Sequence, residues 1–89
     1  MSAVKQWKVE IFIGESDTQT HAEARLMPAG DVTMTGTGTA RLNPIDANVP
    51  EIGDELAVAR ALSDLAHKLL HAAAEDIEGV TQVPAHLTS

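Results

Sequence analysis

PEIGDELAVARALSDLAHKLLHAAAEDIE, residues 50–78, reads as one long amphipathic helix, and the chain before it reads as a sheet for that helix to lie on. From Ile52 the apolar positions continue at Leu56, Ala59, Leu62, Ala66, Leu69, Leu70, Ala73 and Ile77, the three-and-four spacing of one helical face. A narrower stripe runs through Val58, Leu65 and Ala72. Arg60, Asp64, Lys68, His71 and Glu75 hold the polar side, with Arg60–Asp64 and Asp64–Lys68 as four-apart opposite charges. Pro50 suits a first helical position, where its missing N–H costs nothing, and Glu51, Asp54 and Glu55 place negative charge at the positive end of the helix dipole. Gly79 reads as the stop.

Length gives this helix a consequence. About 27 residues make roughly 40 Å of helix, whereas an eight-residue strand spans only about 26 Å. The helix therefore overhangs its own sheet, and a second chain is the simplest cover for a wide apolar arc. A homodimer is expected, with Val58, Leu62, Leu65, Leu69 and Ile77 as the dimer or packing face.

Upstream, Trp7, Val9, Ile11 and Ile13 alternate with Lys8, Glu10 and Phe12, predicting a strand over about 5–13 with its odd positions inward. GESDTQT, residues 14–20, is turn chemistry. A second strand, about 20–27, alternates Ala22, Ala24 and Leu26 with His21, Glu23 and Arg25, and the PAGD turn closes it. The third, about 32–42, sets Gly36, Gly38 and Ala40 on one face and Thr33, Thr35, Thr37 and Thr39 on the other. Paired glycines in a strand mark a close approach by another backbone. The helix is expected to cross over Gly36 and Gly38, with Ala59, Ala66 and Ala22 thinning the contact. Residues 43–49 read as a connector and 80–89 as an extended or disordered tail. The predicted architecture is a single α+β domain over 1–89: a three-stranded antiparallel meander packed on one long C-terminal helix. The threonine-rich third strand offers little deterrent to edge pairing.

Composition excludes several functions. With no cysteine there is no disulfide framework, thiolate chemistry or zinc–sulfur site. The start lacks the pattern of a signal peptide, and no apolar run is long enough for a membrane span, so a cytoplasmic protein is expected. The net charge is −7, and residues 50–89 hold seven acids against Arg60 and Lys68, which disfavours binding free nucleic acid. On the outer sheet face Lys8, Arg25 and Arg41 stand among threonines and form a weak candidate for RNA or partner contact.

The chemical motifs are thin. Gly36-x-Gly38 would need a third glycine where Arg41 stands to resemble a dinucleotide loop. His67 and His71 are one helical turn apart, but a metal needs a third ligand, from Asp64, Glu75, His21 or His86. Ser63, Asp64 and His67 hold the residue types of nucleophilic catalysis without an oxyanion donor or buried orienting acid. No catalytic residue, cofactor or metal ligand is assigned, and a non-enzyme is expected.

The segments TGTGTARLNPIDANVPEIGDELAVARALSDLAHKLL, WKVEIFI and HAEARL resemble a small actinobacterial family of uncharacterised function, some of whose members are associated with dormancy and hypoxic stress. The resemblance implies a β-β-β-α domain similar in topology to double-stranded-RNA-binding domains and ribosome hibernation-promoting factors, and a dimer. It brings no catalytic residue. Those RNA-binding domains carry an extra N-terminal helix and a lysine-rich surface where this helix opens with Glu51, Asp54 and Glu55, so no RNA-contacting position transfers. The leading expectation is a homodimeric, stress- or dormancy-associated binding protein. The alternatives are a ribosome hibernation-like factor using Lys8, Arg25 and Arg41, and a metal-dependent activity at His67/His71.

Overall fold

Strand β1 (Lys8–Glu15), strand β2 (Gln19–Met27), strand β3 (Met34–Arg41) and helix α1 (Pro50–Thr81) follow one another along the chain. The computed structural model describes residues 3–41, 50–81 and 87; the connector at 43–49 and most of the C-terminal tail lie outside them. The strands form one antiparallel sheet in the order β1-β2-β3. Together with the long helix this is an α+β fold.

Local chemistry sets the turns. Ser16 closes the first hairpin twice over: its N–H donates to the Gln19 carbonyl at 2.8 Å and its Oγ accepts the Gln19 N–H at 3.1 Å. The strand therefore continues through Gly14 and Glu15, two residues past its predicted end. The second connection turns at Gly30, whose φ of 91° a side chain would disfavour, and Thr33 N–H donates to the Leu26 carbonyl at its close.

Helix α1 runs through Gly79 to Thr81, so the glycine does not stop it and Val80 is not in an extended tail. Gly30 is the one glycine with a left-handed φ among the described residues, so Gly79 holds no left-handed cap. Thr81 Oγ1 donates back to the Ile77 carbonyl at 2.9 Å and so extends the last turn.

The core is built from small side chains. Ala22, Ala24 and Leu26 of β2, Ala40 of β3, and Ala57, Ala61 and Leu65 of α1 are buried together, with Met34, Val58 and Leu69 packed at the margin. Gly36 and Gly38 lie directly beneath the helix. A Cβ added at Gly36 would meet the Ala61 carbonyl and come within 2.8 Å of Leu65 Cβ; at Gly38 it would meet the Ala57 carbonyl and come within 2.7 Å of Arg60 Cβ. Helix and strand touch backbone to backbone there.

That closeness selects a different helical face from the predicted one. The buried stripe is Gly53, Ala57, Ala61 and Leu65, whereas Ala59 and Ala66 are exposed. Small side chains permit the approach, so the small face goes in and the large apolar stripe stays out. Leu65 thus belongs to the core and leaves the set available to a partner. The helix packs on β3 and β2 and barely touches β1.

Candidate functional site

Two surfaces follow from this placement. On the helix side of the sheet, β1 is left uncovered. Val9, Ile11 and Ile13 stand opposite Leu26, Ala24 and Ala22, so they face the helix layer as their alternation predicts. They are nonetheless 39%, 37% and 45% exposed, because α1 sits one to two strands away. The outward stripe of α1 adds Ile52, Leu56, Leu62 and Ile77, each more than two-fifths exposed. Such a concentration of large apolar side chains on so small a protein makes this face the candidate interaction surface.

Along the outer edge of β3, three helix side chains bond the backbone that a neighbouring strand would otherwise take. Arg60 Nη1 donates to the Thr39 carbonyl at 2.7 Å, Asp64 Oδ2 accepts the Thr37 N–H at 2.8 Å, and Lys68 Nζ donates to the Thr35 carbonyl at 2.7 Å. Helix residues four apart rise about 6.0 Å and strand residues two apart about 6.7 Å, so long side chains absorb the mismatch over three rungs. Asp64 also pairs with Lys68 at 3.2 Å, and the Thr37 N–H, followed by Lys68, holds its carboxyl below the usual aspartate value. The expected Arg60–Asp64 ion pair does not form, since Arg60 reaches the strand instead. The β3 edge is therefore closed, which corrects its reading as an undefended edge.

The three basic residues of the outer face do not gather. Lys8 stands opposite Met27 and Arg41 opposite Gln19, eight β2 residues apart, or about 27 Å. Between them Arg25 is engaged: it pairs with Glu23 at 2.6 Å and stacks over the Phe12 ring at 4.1 Å. Arg41 instead lines an open concavity of about 640 Å³ with Gln19, Thr39 and Arg60. Neither arginine has a carboxylate partner among the described residues. Arg60 was not legible as a site residue, because the strand that meets it is distant in sequence.

The helix histidines are held separately. His67 Nδ1 lies 2.9 Å from the Ser63 carbonyl of its own helix, and His71 Nδ1 lies 3.2 Å from Glu75. Among the described residues no cluster of three His, Asp or Glu is placed to hold a metal ion. Ser63, Asp64 and His67 form no relay, since Asp64 faces Thr37 and Lys68. At the other end Glu15 meets Asp54 at the helix start, and this neighbouring carboxyl raises its pKa. One Asp54 oxygen is buried there without a hydrogen-bond partner.

Fold and surfaces together define a β-β-β-α module with an uncovered apolar face and one closed sheet edge. The chain belongs to the Rv2632c-like family, whose model matches residues 5–86. It is 52% identical over 84 residues to the uncharacterized protein Mb1767 of Mycobacterium bovis, covering 94% of this chain and 88% of that one. It is 50% identical over 80 residues to the uncharacterized protein Rv2632c of Mycobacterium tuberculosis, covering 90% and 85%. The crystal structure of Rv2632c superposes with a TM-score of 0.82 at 48% identity, over 93% of this chain and 98% of that chain. No helix among the described residues is long and apolar enough to cross a membrane.

Proposed function

We propose that the chain is a non-enzymatic binding module of the cytoplasm that works as a homodimer, assembled on the side of the sheet that α1 leaves open. The exposed row Val9, Ile11 and Ile13 carries this reading, because burying large apolar surface is the main driving force of association. His67 meets Ser63 at its backbone carbonyl and Asp64 takes the Thr37 N–H, so the three side chains are not linked hydroxyl to imidazole to carboxylate, which supports a role without catalysis. A role in stress or dormancy rests on the family resemblance alone. Sedimentation velocity across a concentration series tests the assembly. A species of twice the chain mass is expected, and a monomer at every concentration refutes it.

A second reading, weak contact with ribosomal phosphate, is favoured at the concavity where Arg41 and Arg60 lack carboxylate partners among the described residues. Co-sedimentation with ribosomes should then fall as salt rises and vanish in Arg41→Glu. Arg25→Glu should matter little, because Arg25 is already paired with Glu23.

A further inference from the structure

The sheet has two edges, and the described residues close only one of them. Arg60, Asp64 and Lys68 occupy the outward backbone groups of Thr39, Thr37 and Thr35. Antiparallel ladders alternate, so Gly36, Gly38 and Ala40 turn their backbone groups to β2, and the odd residues His21, Glu23 and Arg25 turn theirs to β1. The partners of those residues are Gly14, Phe12 and Glu10. The backbone N–H and C=O of Val9, Ile11 and Ile13 consequently point away from the sheet, along the free edge. The Ser16–Gln19 bond at the hairpin end gives the same parity.

This free edge has few of the features that discourage pairing. β1 contains no proline, and none of its three central helix-side positions, 9, 11 and 13, carries a charge. β1 itself sets Lys8 against Glu10 and Glu15, a net −1 of the −7 that the whole chain carries, so little of the chain's self-repulsion acts where two copies meet at β1.

We propose that β1 pairs antiparallel with β1 of a second copy about a two-fold axis at Ile11, making one six-stranded sheet with both helices on the same face. The inference rests on the homodimer reading above and specifies its geometry. Ile11 then stands opposite the partner's Ile11, Val9 opposite the partner's Ile13, and Glu10 opposite the partner's Phe12. Slipping the register one way sets Glu10 against the partner's Glu10, a like-charge pair; slipping it the other way sets Val9 against the partner's Glu15. The Ile11-centred register avoids both and packs the two exposed apolar rows side by side, so that each covers part of the other.

The chain has no cysteine, so single-cysteine variants report geometry cleanly. Residues directly opposite on antiparallel strands have Cα atoms about 5.5 Å apart or less, within disulfide reach. Under mild oxidation Ile11→Cys should become a covalent dimer, and Leu62→Cys, on the outward helix stripe, should not. Ile11→Pro removes an N–H that points away from β2 and bonds nothing among the described residues of its own protomer. It should sediment at half the wild-type mass with its helical circular dichroism intact. A wild-type dimer with any other cross-linking pattern, or a folded Ile11→Pro that stays dimeric, overturns the strand pairing and leaves self-association standing. A wild-type monomer at every concentration overturns both.

Discussion

Asp64 of the helix accepts the backbone N–H of Thr37 at 2.8 Å, across 27 residues of sequence. With Arg60 and Lys68 on either side, this carboxylate makes the helix a substitute for a fourth strand. Asp64→Leu should free the Thr37 amide. Its hydrogen exchange should accelerate relative to the Gly36 and Gly38 amides, which bond within the sheet, and the melting temperature should fall. Unchanged Thr37 protection would mean that the contact adds nothing.

The pH response should show two opposed contributions. Asp64 titrates lower in the folded chain than its ordinary 3.8, because Thr37 and Lys68 favour the ionised form. Its stabilising contribution is present above 3.8 and is lost as pH falls through the lowered value. Glu15 titrates above its ordinary 4.5 through its contact with Asp54, so its contribution is greatest below 4.5 and declines as pH rises through the raised value. Urea midpoints from pH 3 to 7 should therefore show Glu15→Gln gaining stability at pH 7, and Asp64→Asn losing its acid-dependent decline. Parallel curves for wild type and Glu15→Gln would refute the carboxyl contact.

Gly38→Val puts a branched side chain where the Ala57 carbonyl already lies. Overpacking of this kind costs about 1–3 kcal/mol, and a domain this size loses roughly 4–8 °C of melting temperature per kcal/mol. Gly14→Ala is the control: a Cβ there meets nothing within 4 Å. Similar melting temperatures for the two variants would contradict the close crossing.

Leu65 and Leu62 are three residues apart and differ in everything else. Leu65 is 3% exposed and Leu62 is 42% exposed. Leu65→Ala should cost about 2–5 kcal/mol, the range for an emptied core position. Leu62→Ala should stay within about 0.5 kcal/mol, the range of surface substitutions. Chemical denaturation at low protein concentration measures both, and equal losses would show that the exposed stripe is structural.

Much of the fold was legible because it depends on local patterns. Alternation in Val9–Ile13 and Ala22–Leu26 marks strands, the PAGD segment marks a turn, and three-and-four spacing marks the helix. The helical face was misread for a physical reason. Periodicity weights large apolar residues and so favours Ile52, Leu56 and Leu62, whereas a helix descending onto Gly36 and Gly38 can present only Gly53, Ala57 and Ala61. The charges at 60, 64 and 68 looked like helix-surface pairs, because their strand partners lie 21 to 33 residues away.

The sequence by itself determined three strands, one helix, their order, and the glycine pair that invites close packing. Only the tertiary structure decided where along the sheet the helix rests. The glycines draw it over β3 until backbones touch, and Arg60, Asp64 and Lys68 hold it at that edge. A helix about 10 Å across then barely touches β1, which it meets at Glu15 through Asp54. That geometric limit, which no local pattern encodes, leaves Val9, Ile11 and Ile13 exposed.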